Sequence, residues 1–268
     1  MYKGVDVSSI QQNVDWQWLF EQGITWCVIR NGLGNNQHDP LTAQNVAGAK
    51  AAGLKVALYN VIYPLPSSDP VAEAQYHYNL APDKSIPVAV DEEFPLPQDW
   101  AARGISAQSI TDWTQKYLDE YERLSGQKCI FYSYLSYIQA LHLPTSFSVY
   151  PLWLADYVGA PPKAPAPWSN WTMWQWAGGT ALKLPNGAAC DTDYAVDLSL
   201  WGVSDTPTPS PQPNPEPSPP PVVVPPAPVP EPAPPPPPVS PTPPTNEVSF
   251  WMNLLTTVFN FVKQLFAH

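Results

Sequence analysis

Residues 86–94 of this chain read IPVAVDEEF, an apolar run that ends abruptly in three acids. The run is long enough for a buried strand. Side chains two positions apart on a strand point to the same side, so Asp91 and Glu93 should project together and Glu92 away from them. Two adjacent carboxyl groups at the end of a buried strand are what acid-catalysed glycoside hydrolysis requires. A solvated acidic turn is the alternative interpretation of the same residues.

Around this stretch, short apolar runs alternate with amphipathic segments, which predicts strands joined by helices in an α/β fold. Eight strands are expected, at Gly4–Val7, Trp26–Asn31, Lys55–Val61, Pro87–Glu93, Lys128–Ser133, Pro151–Ala155, Thr172–Trp176 and Ala189–Val196. Four helices are expected, at Trp16–Gln22, Leu41–Ala52, Pro70–Leu80 and Ala107–Ser125. After Tyr134 the helical periodicity fades, so loops should join the later strands. The pattern predicts a closed, TIM-like barrel with helices mainly in its first half.

Acidic residues occur in other predicted strands as well. Asp6 lies late in the first strand, and Asp191 and Asp193 belong to the last. Reactive groups of such barrels gather at the C-terminal ends of the strands, and the first and last strands are neighbours in a closed barrel. These acids should therefore meet Asp91 and Glu93 at one mouth. For Asp6, a capping or turn role is the alternative.

Composition excludes several classes of function. The net charge is −11 and no basic run occurs, so a nucleic-acid partner, which needs clustered Lys and Arg, is not expected. Cys27, Cys129 and Cys190 are widely spaced in apolar runs and are expected to be buried free thiols, with one disulfide as the alternative. No metal-ligand spacing, P-loop or dinucleotide motif is present, so neither a metal nor an organic cofactor is expected.

The composition divides the chain into three parts. Residues 1–203 are expected to form the barrel domain, and residues 204–245 an extended, disordered linker dominated by proline. In residues 246–268 apolar side chains recur at helical intervals, which predicts a short amphipathic helix. Self-association, docking to a protein partner and contact with a membrane surface are the three possible roles of that helix. It lacks the cationic face that strong binding to anionic lipid needs.

The N-terminus carries no basic segment followed by an apolar run and a cleavage site. A protein made in the cytoplasm without a recognisable signal peptide is therefore expected. Action outside the cytoplasm would need another exit route or release by lysis.

Seven short motifs, in this order, resemble the lysozymes of glycoside hydrolase family 25. They are Gly4-Val5-Asp6-Val7-Ser8, Val28-Ile29-Arg30, Asp91-x-Glu93, Tyr132-Ser133, Leu152-Trp153-Leu154-Ala155-Asp156-Tyr157, Trp174-Gln175-Trp176 and Cys190-Asp191-Thr192-Asp193. The resemblance implies a (β/α)5(β)3 barrel. It also implies an endolysin-like N-acetylmuramidase, which cleaves the β-1,4 bond between N-acetylmuramic acid and N-acetylglucosamine in bacterial peptidoglycan.

The resemblance also implies a role for each acid. Glu93 corresponds to the acid/base of the family and Asp91 to its companion carboxylate. Asp6 and Asp191 correspond to the aspartates of the first and last strands, so the expected catalytic set has four members. Asp193, which stands where the family more often has Asn, is assigned to substrate binding. Direct attack by water and assistance by the acetamido group of the substrate both remain open as mechanisms.

Aromatic residues at predicted strand ends favour a carbohydrate substrate, because flat rings stack on sugar faces. The candidates are Tyr59, Tyr132, Trp153, Tyr157 and Trp174. Packing in the barrel core is the alternative for each ring.

Two alternatives concern the whole domain. Family 18 chitinases also place acids at the end of the fourth strand, but they need further aspartates before the terminal Glu, and residues 88–90 supply none. A catalytically silent glycan-binding barrel, acting as an envelope or virion component, is the second alternative. Intact acids argue against it, whereas the long spacer and apolar tail argue for it.

Overall fold

A computed structural model describes residues 1–202, in which eight of nine strands close into a barrel. The strands are β1 (Tyr2–Val7), β2 (Trp26–Leu33), β3 (Gln37–His38), β4 (Lys55–Val61), β5 (Val88–Asp91), β6 (Ile130–Tyr134), β7 (Leu152–Ala155), β8 (Met173–Lys183) and β9 (Ala189–Ala195). Around the barrel the order is β1, β2, β4, β5, β6, β7, β8, β9 and again β1, while β3 pairs with β2 alone. The eight predicted barrel strands are confirmed.

The last strand differs from the others in direction. β1, β2, β4, β5, β6, β7 and β8 pair in parallel, whereas β9 runs antiparallel to both β8 and β1. Asp191, near the start of β9, therefore lies opposite Asp6, near the end of β1. Asp191 thus stands near the N-terminal end of its strand, whereas Asp6 and Asp91 stand near the C-terminal ends of theirs. The hairpin between β8 and β9 reverses the chain and brings it to the same mouth.

Five α-helices lie within the described residues. They are α1 (Trp16–Glu21), α2 (Thr42–Ala51), α3 (Pro70–Leu80), α4 (Ala107–Ser125) and α5 (Leu135–Leu141). The first four are confirmed, and the prediction that only loops follow Tyr134 is wrong. Seven residues are too few for a helical period to stand out, and α5 begins without a side-chain cap. With one helix after each of the first five barrel strands, the fold is the (β/α)5(β)3 barrel.

The longest helix, α4, has clear local reasons for its ends. The Ser106 hydroxyl accepts from the backbone N–H of Ser109 at the start, and Gly126 adopts φ 71° at the end. Left-handed backbone favours glycine and stops a helix. Its apolar face, which includes Trp113 and Tyr117, is buried against the sheet and α3.

Alternation along the strands produces two apolar layers. Val5 and Val7 point outward to the layer between strands and helices, while Gly4 and Asp6 point into the barrel. Trp26 fills the floor of the barrel, and a Cβ on Gly4 would lie 2.2 Å from its ring. Glycine is therefore required there, and the wide indole closes the end opposite to the acids.

Several sequence-based predictions concern particular residues or segments. Cys27, Cys129 and Cys190 are buried free thiols. None of the helices in residues 1–202 has the length and apolar content needed to cross a bilayer. The predicted proline-rich linker and C-terminal helix lie outside the described residues.

Candidate active site

The strand β5 delivers the two central acids. Asp91 is its last residue and points into the barrel, and its carboxyl group lies close enough to that of Glu93, two positions later, for each to shift the pKa of the other. Glu92 points the other way, where its Oε2 accepts from Thr114 Oγ1 at 2.8 Å on α4. The structure therefore brings Asp91 and Glu93 together at the mouth and places Glu92 behind the strand.

Burial controls the protonation of this pair. Burial raises the pKa of Glu93 to about 7, and the negative charge of Asp191 adds to the effect, whereas the hydrogen bond with Asp91 opposes it. The pKa of Asp91 is raised as well, first by burial and then by its repulsion from Glu93. Two carboxyl groups in contact cannot both ionise easily, so the pair retains one proton near neutral pH. One of the two can then donate a proton while the other carries charge.

A second group of acids comes from β1 and β9. Asp6 and Asp193 are both buried, and each accepts a hydrogen bond from another strand, Asp6 from Gln175 and Asp193 from Trp153. Burial raises the pKa of Asp6, and the charges of Asp191 and Asp193 raise it further. Asp191 is half-buried beside them, and its Oδ1 accepts from the backbone N–H of Gly179. All five predicted acids thus belong to one electrostatically connected cluster at the barrel mouth.

Gln175 connects this acidic cluster to the aromatic residues, although the sequence analysis did not assign it a role. From β8, its Nε2 donates to Asp6 Oδ2 at 2.6 Å, and its Oε1 accepts from the hydroxyls of Tyr132 and Tyr157 at 2.9 and 2.8 Å. The only signal in the sequence is the place of Gln175 in the motif Trp174-Gln175-Trp176, between two aromatic residues. A polar amide between apolar residues of a strand indicates a functional position, because such a group is rarely buried without a role.

Three aromatic residues line the interior just below the acids. The Tyr132 and Trp153 rings lie 4.4 Å apart between centroids, and Tyr59 meets Trp153 edge-on at 6.4 Å. Trp153 Nε1 donates to Asp193 Oδ1 at 2.8 Å. Tyr132 and Trp153 are buried, so they support the acids from below, whereas the half-buried Tyr59 reaches the mouth.

The two remaining aromatic candidates lie in different places. Tyr157 follows β7 at the rim and is 44% exposed, so its ring is accessible to a ligand. Trp174 alternates with Gln175 and is therefore on the outer side of β8, where it is buried and donates to the carbonyl of Asp156 at 2.7 Å. Trp174 is the one predicted site residue that points away from the barrel interior.

A single arginine balances part of the acidic charge. Arg30 projects inward from β2, and its Nε donates to Asp39 Oδ2 at 2.9 Å in a buried ion pair. Its positive charge also lowers the pKa of Asp91, against the larger effect of burial. The sequence shows Arg30 only as part of a motif, because its partner Asp39 follows a strand of two residues, which is too short to be predicted.

No group of three or more His, Cys, Asp or Glu side chains in residues 1–202 is arranged to hold a metal ion.

A barrel whose mouth holds a protonated carboxyl beside an ionised one, flanked by aromatic rings, is typical of glycoside hydrolases. The comparison with protein families agrees with this class. The family described as glycosyl hydrolases family 25 matches residues 5–183. The chain belongs to this family.

Two curated relatives share part of the chain. It is 29% identical over 157 residues to the autolytic lysozyme of Clostridium acetobutylicum, covering 58% of this chain and 45% of the relative. It is 23% identical over 198 residues to lysozyme M1 of Streptomyces globisporus, covering 71% of this chain and 66% of the relative. The chain thus spans about half to two thirds of the length of these relatives.

Solved structures confirm the fold. A muramidase from Trichobolus zukalii superposes with a TM-score of 0.65 at 22% identity, covering 74% of this chain and 95% of the other. The family 25 lysozyme from Aspergillus fumigatus gives a TM-score of 0.64 at 22% identity, covering 75% and 98%. The barrel is therefore shared almost in full.

Proposed function

We propose that the chain is a lysozyme-type endoglycosidase that hydrolyses the β-1,4 linkage between N-acetylmuramic acid and N-acetylglucosamine in bacterial peptidoglycan. Membership of family 25 and the lysozyme names of two curated relatives support this substrate. The observation that carries the proposal is the pair of Glu93 and Asp91, in which burial raises both pKa values, that of Glu93 to about 7, so that the pair holds a proton to donate. An autolytic relative favours a lysis enzyme that acts on the cell wall.

In this proposal Glu93 is the general acid and protonates the glycosidic oxygen as the bond breaks. Asp91 carries the negative charge of the pair and stabilises the positive charge that develops on the sugar ring. Carboxyl groups of a retaining pair are about 5–5.5 Å apart and those of an inverting pair about 6.5–9.5 Å. Asp91 and Glu93 lie side by side at one strand end and shift each other's pKa, so they do not face each other across a sugar. This favours Asp91 as the partner of Glu93 on one side of the sugar.

Asp6 and Asp191 belong to the other side of the reaction in this proposal. Their strands, β1 and β9, are three and four positions from β5 around the barrel. A sugar bound across the mouth would therefore have Glu93 on one side and these aspartates on the other. Their role is to hold the attacking water or the acetamido group of the substrate. Tyr59 and the exposed ring of Tyr157 flank the bound glycan.

The test uses purified bacterial cell walls and measures the release of reducing ends. Glu93→Gln should lose about 10²- to 10⁴-fold in rate, the usual contribution of general acid catalysis, and should remain folded. Glu21→Gln, an exposed change of the same kind on α1, is the matched control and should be fully active. Near-normal rates for Glu93→Gln would remove Glu93 from the role. A wild-type protein that binds walls without cleaving them would support the silent glycan-binding barrel instead.

The tail has a separate part in the proposal. Residues 246–268 are proposed to serve self-association or docking, because their sequence is amphipathic and carries one Lys and one Glu. Removing residues 204–268 should leave cleavage of soluble wall fragments unchanged and alter sedimentation or retention on whole walls. Unchanged sedimentation and retention would argue against this role. If removal of the tail abolished binding to lipid vesicles, membrane contact would be favoured instead.

A further inference from the structure

A second buried glutamate lies directly behind the proposed acid. Glu92 is fully buried on the outer side of β5, between the barrel and α4. Its Oε2 accepts from Thr114 Oγ1 at 2.8 Å, and Thr114 is itself fully buried on α4. A carboxyl group in such a layer destabilises the fold unless it is hydrogen-bonded, so its presence there calls for a physical reason.

The backbone of Glu92 is fixed to the neighbouring strand β6 through both its N–H and its carbonyl. Its N–H donates to the carbonyl of Tyr132 at 3.0 Å, and its carbonyl accepts from Ser133 Oγ at 2.5 Å. The pairing of β5 with β6 ends at Asp91, opposite Tyr132. Glu92 is therefore the point where the chain is last anchored before Glu93 enters the mouth.

We propose that Glu92 is a positioning residue for Glu93, with Thr114 as the anchor that holds it from behind the strand. The inference rests on the proposed function, in which Glu93 is the general acid. Three hydrogen bonds fix the orientation of residue 92, and the direction of the next side chain follows from it. The two side chains at the end of this strand point in opposite directions and have different roles. Glu93 reacts at the mouth, and Glu92 orients Glu93 from the layer between the strands and the helices.

The electrostatics of Glu92 agree with an anchor that carries no charge. Burial raises its pKa to about 8, while the hydrogen bond from Thr114 opposes the shift. A buried tyrosine of α5, Tyr137, lies close enough for the charge of Glu92 to raise its pKa further, after the larger effect of burial. At mildly acidic pH the side chain is therefore neutral, and a glutamine of the same shape can replace it.

The decisive comparison uses two threonines of the same helix. Thr114→Val removes the hydroxyl that holds Glu92 and keeps the volume. Thr111→Val is the matched control, because Thr111 is also buried on α4, but its Oγ1 donates at 2.9 Å to the carbonyl of Ala107 in its own helix. Both variants lose one hydroxyl from the same buried face, and only one of them loses contact with Glu92.

A second pair of variants tests Glu92 itself. Glu92→Gln retains the acceptor for Thr114, whereas Glu92→Met retains the length and loses the acceptor. Thr114→Val leaves the Glu92 carboxyl without its donor, so this variant should melt at a lower temperature than the wild type. In Glu92→Met the hydroxyl of Thr114 can turn to its own helix backbone, so no donor is left without a partner.

Rates are measured on wall fragments as kcat and KM across the pH range, together with thermal unfolding. Thr114→Val and Glu92→Met should lower kcat about 3- to 10-fold at unchanged KM, the equivalent of one hydrogen bond, and should shift the alkaline limit of the pH profile set by Glu93. Thr111→Val and Glu92→Gln should retain the kcat and the pH profile of the wild type.

Wild-type kcat and an unshifted profile in Thr114→Val and Glu92→Met, with only a lower melting temperature, would overturn the inference. The anchor would then be structural only. Failure of the proposed function is seen separately, because Glu93→Gln would remain active whatever the threonine variants do.

Discussion

Gln175 Nε2 donates to Asp6 Oδ2 at 2.6 Å, across 169 positions of sequence. The amide nitrogen of Gln175 is a donor and faces Asp6, whereas its amide oxygen is an acceptor and faces the tyrosines. The hydroxyls of Tyr132 and Tyr157 therefore direct their protons toward Gln175. One amide thus fixes the orientation of three groups at the mouth.

Replacing Gln175 should disturb all three groups at once. In Gln175→Leu, Asp6 loses the hydrogen bond that lowers its pKa, and both tyrosine hydroxyls lose their acceptor. We expect kcat to fall about 10- to 100-fold, the equivalent of one or two hydrogen bonds that involve a charged group. The measurement is the rate of reducing-end release from wall fragments.

The double variant Tyr132→Phe, Tyr157→Phe is the control for that loss. It removes both hydroxyls and leaves the bond between Gln175 and Asp6 intact, so its rate should fall less. Equal rates for the two variants would place the effect in the tyrosines and not in the alignment of Asp6.

The activity should decline as the pH rises through about 7. Only protonated Glu93 can act as the acid, and burial raises its pKa to about that value. The charge of Asp191 contributes to the shift, so Asp191→Asn should lower the pKa of Glu93 and move the alkaline limit of kcat/KM to lower pH. The measurement is the full pH profile of kcat/KM for both proteins.

Asp112→Asn supplies the comparison for this profile, because Asp112 is exposed on α4. Its profile should coincide with that of the wild type. If the limit of Asp191→Asn stays in place or moves to higher pH, a group other than Glu93 controls the alkaline limit.

The elements of this fold could be predicted because their signals are local. Alternation along a strand places Asp91 and Glu93 on one side and Glu92 on the other, and the hydrogen bond of Glu92 to α4 confirms the separation. Apolar runs bounded by Gly, Pro and charged residues gave the eight barrel strands. The helical period of α4 and its C-terminal Gly126 gave the longest helix.

What could not be predicted depends on partners that are distant in sequence. Gln175 acquires its role from Asp6, and Arg30 acquires its role from Asp39, which follows the two-residue strand β3. The reversed direction of β9 is decided by the hairpin with β8, which leaves no mark in the periodicity of either strand. Trp174 resembled a ligand-binding ring until the side of the strand that it occupies was known.

The floor of the barrel should tolerate no side chain at position 4. In Gly4→Ala the new Cβ would lie 2.2 Å from the Trp26 ring, which is fully buried and cannot move aside. Overpacking of this kind destabilises a protein by about 1–3 kcal/mol or more. Thermal unfolding measures the loss. Gly159→Ala is the control, since its Cβ would meet nothing within 4 Å, and its melting temperature should equal that of the wild type. A stable Gly4→Ala would mean that the Trp26 indole can be repacked.

The stability of the fold should also depend on pH through Glu92. Its folded pKa of about 8 is above the ordinary value of 4.5, so burial favours its protonated form. Its contribution to stability is therefore fully present below about pH 4.5 and is lost as the pH rises through about 8. Glu92→Gln abolishes this dependence because the amide does not titrate. The free energy of unfolding of the variant, relative to that of the wild type, should increase by on the order of 3–5 kcal/mol between pH 4.5 and 8.

Urea unfolding of both proteins at several pH values measures that difference. Other groups titrate as well, but they are common to the two proteins. Burial raises the pKa of Glu73 to about 7, so its contribution to stability also falls as the pH rises. Burial lowers the pKa of His77 to about 3, so its contribution changes with pH in the opposite direction. Their effects cancel in the comparison, and Glu21→Gln, which changes an exposed carboxyl, should follow the wild type. Parallel curves for Glu92→Gln and the wild type would mean that Glu92 ionises as easily in the folded protein as in the unfolded chain. The carboxyl behind β5 would then be reached by water, and its rigid attachment to Thr114 could no longer explain how Glu93 is aligned.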